Sequence, residues 1–390
     1  MIEPGQQLPR RTSRVRHRVA GLFAGIGGLE LGLHRAGHRC NLLCEIEPAA
    51  AHVLRAQFPK VSIVNDVRQL GKLPIGTSLI AAGFPCQDLS SVGLKSGIEG
   101  AQSSLVDEVF RILEANDIDN VLFENVRFML HLHGGRAMSR IAARFEELGY
   151  NWAYRVVNTL AFGLPQRRHR VFFLAMRRGD PRNVLLADDF DIPDRELSLR
   201  GPIGFYWTEG KYATGLTADA IPPLKNGSTI GIPSPPSILM PTGEVGTPTI
   251  GDAERLQGFP QGWTRPAEEV TRTSNRWKLI GNAVSVPVAE WIGERLAVPG
   301  VFSDSDARPL GAKWPNAGWG NGGRRYVADV GDAPILHPPT PSLASFLQQP
   351  LKPLSERALN GFLKRARSGR MRFPDGFLDA LERYKDGVVA

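Results

Sequence analysis

Short apolar runs alternate with amphipathic stretches along the first half of the chain. The runs VAGLFAG, NLLCEIE, SLIAAGFP, NVLFENV and VFFLAMRR have the length and composition of buried strands. Helical stretches such as AAAHVLRAQF and SLVDEVFRILEAN lie between them. Strands that alternate with helices predict an α/β fold of Rossmann-like type, in which helices cover both faces of a mixed, mostly parallel sheet.

The pattern changes several times along the chain, and each change predicts a boundary. Residues 1–18 are polar and rich in arginine, which is typical of a flexible basic arm, and the α/β pattern occupies residues 19–177. Residues 178–250 are rich in proline and glycine and show poor periodicity, so they predict a smaller, loop-rich domain. Regular patterning returns in residues 251–299, and residues 300–390 form a C-terminal extension of unassigned role, extended at first and then helical and basic.

Composition narrows the class of protein only modestly. The 390 residues include 47 lysines and arginines against 39 acids, a net charge of +8, which favours an anionic partner such as nucleic acid. Three cysteines are too few for a disulfide framework. The chain has no long apolar run and no secretory signal pattern, so the sequence predicts a cytoplasmic protein without membrane contact.

A glycine-rich turn follows the first predicted strand and has the character of a cofactor site. Glycines in FAGIGG, from Phe23 to Gly28, let the backbone approach a ligand closely. Glu45 ends the second strand, where an acid can accept hydrogen bonds from ribose hydroxyls, and Asp66 ends the third. Glu30 occupies the third glycine position of a dinucleotide fingerprint, which argues against NAD and for another adenosine cofactor.

The fourth predicted strand ends in GFPCQ and brings Cys86 to the carboxyl edge of the sheet. Pro85 stops the strand, and a lone cysteine would ordinarily be read as a buried structural residue. Glu124 in FENV and Arg168 in QRRHR are predicted at the same edge, which favours Cys86 as a nucleophile for an electron-poor ring. For Arg170, which shares a face with Arg168, a structural ion pair remains an equal alternative.

The order of these motifs resembles that of the C5-type DNA cytosine methyltransferases. FAGIGG, the acid at Glu45, NDV, GFPCQ, FENV, QRRHR, ERLQGFP and IGNAV follow one another as they do in that family. They span residues 21–290, roughly 70% of the chain. The combination of PCQ, ENV and Q-x-R-x-R at these intervals is highly specific.

The resemblance implies that the protein transfers a methyl group from S-adenosylmethionine to carbon 5 of a cytosine flipped out of duplex DNA, leaving S-adenosylhomocysteine. By analogy Cys86 attacks ring carbon 6, and Glu124 protonates or hydrogen-bonds N3. Arg168 would hold the base oxygen, while Asn125 and Arg170 would support the site. Residues 19–177 would then be the catalytic domain and residues 178–250 the target-recognition domain.

The same resemblance implies a cofactor pocket and a set of DNA contacts. The implied cofactor residues are Phe23, Gly25, Ile26, Gly27, Glu45, Ile46, Asp66, Val67, Pro85, Leu105, Asn282, Ala283 and Val284. The predicted DNA contacts are Gln87, Ser90, Arg170, Lys225, Asn226, Ser228 and Thr229. For any single residue of LKNGSTIG, an ordinary polar turn is at least as good an interpretation.

The chain departs from the family pattern just after the nucleophile. The family carries an acid and an Arg-Gly pair before the next helix, where this chain has Gly100, Gln102 and Ser103. The arginine expected before ERLQGFP is also absent, and residues 300–390 have no counterpart. The DNA and helix contacts of this loop must therefore differ.

Two other classes of function were weighed against the methyltransferase. A nucleotide-dependent oxidoreductase predicts an intact third glycine and leaves PCQ with ENV unexplained. A catalytically dead DNA-binding relative predicts the loss of Cys86 or Glu124, and both are present. The sequence therefore predicts a DNA cytosine-5 methyltransferase that acts as a monomer on double-stranded DNA, without an obligatory protein partner, in a bacterial or phage restriction–modification system.

Overall fold

The computed structural model describes residues 15–84, 105–225, 227, 234–305, 307–335 and 340–388. The strands are β1 Arg18–Leu22, β2 Arg39–Cys44, β3 Ser62–Val64, β4 Leu79–Ala82, β5 Asn120–Val126, β6 Asn151–Asn158, β7 His169–Met176, β8 Ile203–Phe205, β9 Thr217–Ala218, β10 Ser237–Leu239, β11 Val245–Thr247, β12 Arg308–Pro309, β13 Ala317–Asn321, β14 Arg324–Val327 and β15 Lys352–Pro353. The α-helices are α1 Gly28–Arg35, α2 Pro48–Gln57, α3 Leu105–Ala115, α4 Arg136–Glu147, α5 Arg182–Leu185, α6 Ile250–Leu256, α7 Arg276–Asn282, α8 Val286–Ala297, α9 Leu343–Phe346, α10 Glu356–Ser368 and α11 Phe377–Val388.

A ten-stranded sheet forms the centre of the molecule, in the order β12-β14-β13-β6-β7-β5-β4-β1-β2-β3. The strands from β3 to β5 in this order pair in parallel, and β7 enters antiparallel between β5 and β6. Pairing directions make β1 to β6 and β14 run one way and β7, β12 and β13 the other. The predicted α/β fold with a mixed, mostly parallel sheet is confirmed.

Helices cover both faces of this sheet, because alternate residues of each buried strand point to opposite sides. On β4, Ile80 and Ala82 belong to one apolar cluster, which includes side chains of α3 and α4. Leu79 and Ala81 belong to the other, which includes side chains of α1, α5 and α8. The β4 strand is apolar throughout since it faces a core on each side.

Helix α8 returns to the first part of the chain and packs closely on α1. A Cβ atom at Gly32 of α1 would lie 2.5 Å from Ala289 Cβ, so the glycine permits the close approach. Gly293 of α8 makes the reciprocal approach to Ala36. This packing carries the segment between α7 and α8 to the end of the sheet where β1 meets α1.

A second, five-stranded antiparallel sheet has the order β15-β11-β10-β8-β9. Its core joins Phe205 of β8 to Phe362 of α10 and Phe377 of α11, and all three rings are buried. The helical stretches predicted near the C-terminus are therefore present, and they pack against this smaller sheet.

Residues beyond 300 contribute to both sheets, which their composition does not reveal. Strands β12, β13 and β14 extend the central sheet beyond β6, and β15 pairs with β11. The buried Arg155 of β6 donates to the Gly331 carbonyl at 2.8 Å and pairs with Asp189 at 2.6 Å, so it joins the segment around Gly331 to the central sheet. Among the described residues, no helix has both the length and the apolar character needed to span a bilayer.

Candidate active site

The turn between β1 and α1 is shaped by backbone conformations that favour glycine. Phe23, Gly25 and Gly27 have φ values of 54°, 56° and 86°. A Cβ at Gly27 would lie 2.6 Å from the Phe58 ring, so that position excludes a side chain. A Cβ at Gly25 would meet no atom within 4 Å, so the turn is open at this residue and a ligand can approach the backbone there.

Glu45 connects this turn to the end of β2. Its Oε2 accepts a hydrogen bond from the Gly25 N–H at 2.7 Å, and its Oε1 accepts one from the Glu47 N–H at 2.8 Å. Burial raises the pKa of Glu45, while these hydrogen bonds limit the rise. Each oxygen keeps a further lone pair, so the carboxylate can still accept hydroxyl donors. Ile46, beside it, leaves 65% of its surface exposed.

Asp66 and Val67 lie at the end of the neighbouring strand, β3. Asp66 accepts a hydrogen bond from the Arg68 N–H at 3.0 Å, and Val67 is buried in the apolar cluster beneath it. Leu105, the first residue of α3, packs against the same cluster. The ends of β2, β3 and the β1–α1 turn therefore form one continuous edge, as the sequence predicts for parallel strands.

The segment after α7 closes this edge from the C-terminal side. A Cβ at Gly28 would lie 2.3 Å from the Val284 carbonyl oxygen, so this glycine lets the returning segment lie directly on the turn. Ala283 and Val284 are buried, whereas Asn282 is exposed. The predicted cofactor residue Ile26 is buried below the turn, and its carbonyl accepts a hydrogen bond from Trp263 at 2.8 Å.

Glu124 is a buried carboxyl group near the carboxyl end of β5. Arg170 of β7 contacts it, with Nε 3.1 Å from Oε1. Burial raises the pKa of Glu124, and the positive charges of Arg170 and Arg168 limit that rise. A Cβ at Gly83, just beyond β4, would lie 3.5 Å from Glu124 Oε2. The carboxyl group therefore lies beside the chain that leads to Cys86.

Asn125 fixes the neighbouring segment by a hydrogen bond. Its side-chain amide donates to the Phe84 carbonyl at 3.0 Å, two residues before Cys86 in the sequence. Phe84 is the last described residue on that side. The predicted residues outside the described part of the chain are Pro85, Cys86, Gln87, Ser90, Gly100, Gln102, Ser103, Asn226, Ser228 and Thr229.

Arg168 has a different environment from the one expected for a residue that holds the base oxygen. It is fully buried, and its two terminal nitrogens donate to the carbonyls of Leu224 at 2.8 Å, Gly281 at 3.2 Å and Ala283 at 2.9 Å. These carbonyls come from two distant segments, which Arg168 joins. Arg170, on the same face of the segment, contacts the buried Glu124 carboxyl instead.

Two buried glutamines support this arrangement, and both belong to motifs of the sequence. Gln166 accepts a hydrogen bond from the Leu224 N–H at 2.8 Å and donates to the Leu256 carbonyl at 2.8 Å. Gln257, from ERLQGFP, donates to Ile280 and accepts from Ser285 at 2.7 Å. Their roles are long-range, so the motif letters alone did not identify them.

Lys225 is the one predicted contact from LKNGSTIG whose side chain the structure describes. Its Nζ lies 2.6 Å from Glu209 Oε1 and 3.6 Å from the centre of the Tyr206 ring. Tyr206 in turn donates from its hydroxyl to the Pro223 carbonyl at 2.6 Å. No motif surrounds Tyr206, so the sequence does not single it out.

Comparison with protein families and curated proteins places these features in context. Residues 17–217 match the model of the family described as C-5 cytosine-specific DNA methylase. The type II methyltransferase M2.BsuMI of Bacillus subtilis (strain 168) is 46% identical over 384 residues, covering 95% of this chain and 98% of that protein. The type II methyltransferase M.NlaX of Neisseria lactamica is 27% identical, covering 72% and 96% of the two chains.

Solved structures resemble the fold at low sequence identity. The S. pombe Dnmt2 methyltransferase has a TM-score of 0.54 at 18% identity and matches 72% of this chain and 98% of its own. The Entamoeba histolytica methyltransferase EhMeth has a TM-score of 0.54 at 15% identity, covering 73% and 98% of the two chains. At these identities the likeness concerns the fold alone.

Proposed function

The chain belongs to the C-5 cytosine-specific DNA methylase family, and from that premise we propose that Cys86, Glu124 and Arg170 act on a cytosine flipped out of duplex DNA. The observation that carries the proposal is the buried Glu124 carboxyl, contacted by Arg170 at 3.1 Å and adjacent to the Gly83–Phe84 segment that leads to Cys86. Glu124 and Arg170 thus lie at the sheet edge where the described chain continues toward Cys86. Arg168 organises this edge through backbone carbonyls.

In the proposed reaction Cys86 adds to the cytosine ring and later leaves it. The thiolate forms a bond to carbon 6, and the electron pair of the C5–C6 double bond shifts through carbon 4 to N3, where Glu124 donates a proton. Carbon 5 is then nucleophilic and takes the methyl group. Water takes the carbon-5 proton, which restores the C5–C6 double bond and expels Cys86 as thiolate, and N3 returns its proton to Glu124.

The environment of Glu124 suits the donation of a proton to N3. Burial disfavours the carboxylate, so its raised pKa keeps more of the group protonated toward neutral pH. Arg170 opposes this effect and limits it. Because the Arg170 guanidinium lies next to the acid that faces the ring, we assign to it, rather than to Arg168, the hydrogen bond to the base oxygen.

The edge formed by β1, β2 and β3 fits S-adenosylmethionine, which supplies an electrophilic methyl group when bound. The open backbone at Gly25 admits the ligand, and both Glu45 oxygens have lone pairs for the ribose hydroxyls. The exposed Ile46 offers an apolar surface for the adenine ring, and Asp66 an acceptor for its amino group. The other proposed contacts are Phe23, Ile26, Gly27, Val67, Pro85, Leu105, Asn282, Ala283 and Val284.

Incubation with tritiated S-adenosylmethionine and mixed-sequence duplex DNA, followed by mapping of the modified cytosines, tests the function. We expect label at carbon 5 of cytosines within one short sequence. If the protein binds the cofactor yet transfers no methyl group to DNA, the proposal is wrong.

Trapping with 5-fluorocytosine DNA tests the nucleophile. The fluorine cannot be lost as a proton, so the wild-type protein should remain covalently attached to the DNA. The Cys86→Ser variant should form no adduct, and Cys44→Ser is the matched control, since burial raises the pKa of the Cys44 thiol to about 12 and leaves it unreactive. An adduct with Cys86→Ser would identify another nucleophile.

The biological setting follows from the relatives. The names of the similar bacterial proteins describe type II methyltransferases, which supports a role in protecting DNA within a restriction–modification system. Gln87, Ser90, Lys225, Asn226, Ser228 and Thr229 remain the proposed DNA contacts. DNA from cells that express the protein should resist cleavage by endonucleases whose site contains the mapped cytosine.

A further inference from the structure

The loop between β8 and β9, residues 206–216, is attached to the segment QRRHR. At its end, the Leu216 carbonyl accepts a hydrogen bond from Arg167 Nη2 at 3.0 Å. At its start, the Tyr206 hydroxyl donates to Pro223, next to the Leu224 carbonyl that Arg168 holds. One end of the loop is thus bonded directly to QRRHR, and the other is linked to it through Pro223 and Leu224. Arg170 contacts Glu124 from the same QRRHR segment.

The tip of this loop is exposed and carries chemistry suited to nucleic acid. The Gly210 N–H donates to the Ala213 carbonyl at 3.1 Å, so Lys211 and Tyr212 occupy the centre of a tight turn. Tyr212 leaves 82% of its surface exposed, and Lys211 Nζ lies 5.3 Å from the centre of its ring. An ammonium group binds phosphate, and an exposed aromatic ring stacks on bases or sugars.

Helix α10, from the C-terminal extension, holds the loop in place. Arg365 donates from Nε to the Glu209 carbonyl at 2.9 Å and from Nη2 to the Trp207 carbonyl at 2.7 Å. A Cβ at Gly369, just after the helix, would lie 2.7 Å from the Lys211 carbonyl oxygen, so the two backbones touch. One guanidinium fork therefore fixes two carbonyls of a loop whose exposed tip also touches the backbone at Gly369.

Two more cations lie beyond the end of this helix. Arg370 and Arg372 are exposed and lie one and three residues after Gly369. Because Gly369 touches Lys211, both cations are within three residues of the loop tip along the chain and add positive charge to this part of the surface. We propose that Lys211 and Tyr212, flanked by Arg370 and Arg372, contact the DNA backbone beside the flipped cytosine, and that Arg365 is the positioning residue for this loop. The inference rests on the proposed function and gives the C-terminal extension a role in DNA binding.

Binding of sheared, mixed-sequence duplex DNA at a series of salt concentrations tests the contact. Lys211→Met should raise the dissociation constant on the order of tenfold and reduce the salt slope by about one, as the loss of one phosphate contact does. Lys60→Met is the charge-matched control, because Lys60 is exposed before β3, the edge strand of the central sheet, whereas the loop connects strands of the second sheet. The control should leave both quantities unchanged.

Arg365→Met tests the positioning role, with the exposed Lys364→Met on the same helix as its control. Arg365→Met should raise KM for DNA while kcat at saturating DNA changes by less than about twofold. In the double variant, Lys211→Met should cause almost no further loss of DNA affinity, since a displaced loop tip no longer contacts the DNA. A purely structural role would lower thermal stability without this coupling.

The outcomes separate this inference from the proposed function. If the wild-type protein methylates DNA while Lys211→Met and Tyr212→Ala bind it with unchanged affinity and salt slope, the loop is not a DNA contact and the inference is wrong. If Lys364→Met weakens binding as much as Arg365→Met, overall charge explains the effect and the positioning role is overturned. If the wild-type protein methylates no DNA, the proposed function itself fails.

Discussion

Two buried glutamates, Glu124 and Glu30, lie at different places in or against the central sheet and have different neighbours. Glu124 lies near the carboxyl end of β5, in contact with Arg170. Glu30 lies on α1 against β1, and neither of its carboxyl oxygens has a hydrogen-bond partner among the described residues. Burial raises the pKa of both groups, to about 8 for Glu30.

The two groups are both buried and differ in their neighbours, and for that reason we expect them to have different roles. A raised pKa results from burial alone and does not mark a catalytic acid. Glu124 has in addition a cationic neighbour and adjoins the chain that leads to Cys86. Glu30 has neither of these features. Its charge acts on Cys40, whose thiol pKa is raised by burial and by Glu30. We therefore expect Glu124 to control activity and Glu30 to control stability.

The largest expected effect is that of Glu124→Gln on the methylation rate. Glutamine keeps the shape of the side chain but cannot donate a proton as an acid, so single-turnover methylation should slow by roughly 10²–10⁴-fold. Glu30→Gln is the matched substitution at the other buried acid. It should leave the rate within about twofold of the wild type. Equal losses in the two variants would mean that Glu124 acts only through folding.

The sequence predicted the edge of the sheet at which Glu124 lies but not the contacts around it. Strand and motif patterns are local, so FAGIGG, Glu45 and FENV could be placed at strand ends from letters alone. The family resemblance implied that Arg168 holds the base oxygen. Its partners at Leu224 and Ala283 lie 56 and 115 residues away, and no local pattern encodes such contacts.

The burial of Glu30 and the strand pairing of the C-terminal extension could not be predicted for the same reason. Glu30 was noticed only as a departure from a glycine fingerprint, whereas its burial results from the packing of α1 on β1. Residues 300–390 gave no motif, yet they pair with β6 and β11, both of which lie more than a hundred residues earlier. Sheet pairing across such distances depends on the whole fold.

The second prediction compares the glycine next to each acid. A Cβ at Gly21 would lie 2.2 Å from Glu30 Oε1, whereas one at Gly83 would lie 3.5 Å from Glu124 Oε2. Gly21→Ala should therefore lower the free energy of unfolding by about 1–3 kcal/mol, as overpacking does. Gly83→Ala should change it by less than about 0.5 kcal/mol. Chemical denaturation of both variants measures the difference. If Gly21→Ala lowers the free energy of unfolding as little as Gly83→Ala does, Glu30 can move aside.

The smallest expected effect is a change in how stability depends on pH. The folded protein keeps a proton on Glu30 up to a pKa of about 8, whereas in the unfolded chain the group has its ordinary value near 4.5. Between these values unfolding releases a proton, so Glu30 makes stability fall as pH rises, by roughly 1 kcal/mol per pH unit. Glu30→Gln should remove this contribution, and the slope of unfolding free energy between about pH 5.5 and 7.5 should flatten.

Glu124→Gln is the matched variant. It should flatten the slope less, because Arg170 and Arg168 stabilise the Glu124 carboxylate and limit its pKa rise. If Glu124→Gln flattens the slope more than Glu30→Gln does, Glu30 does not hold its proton more tightly than Glu124 in the folded state, and the prediction is wrong.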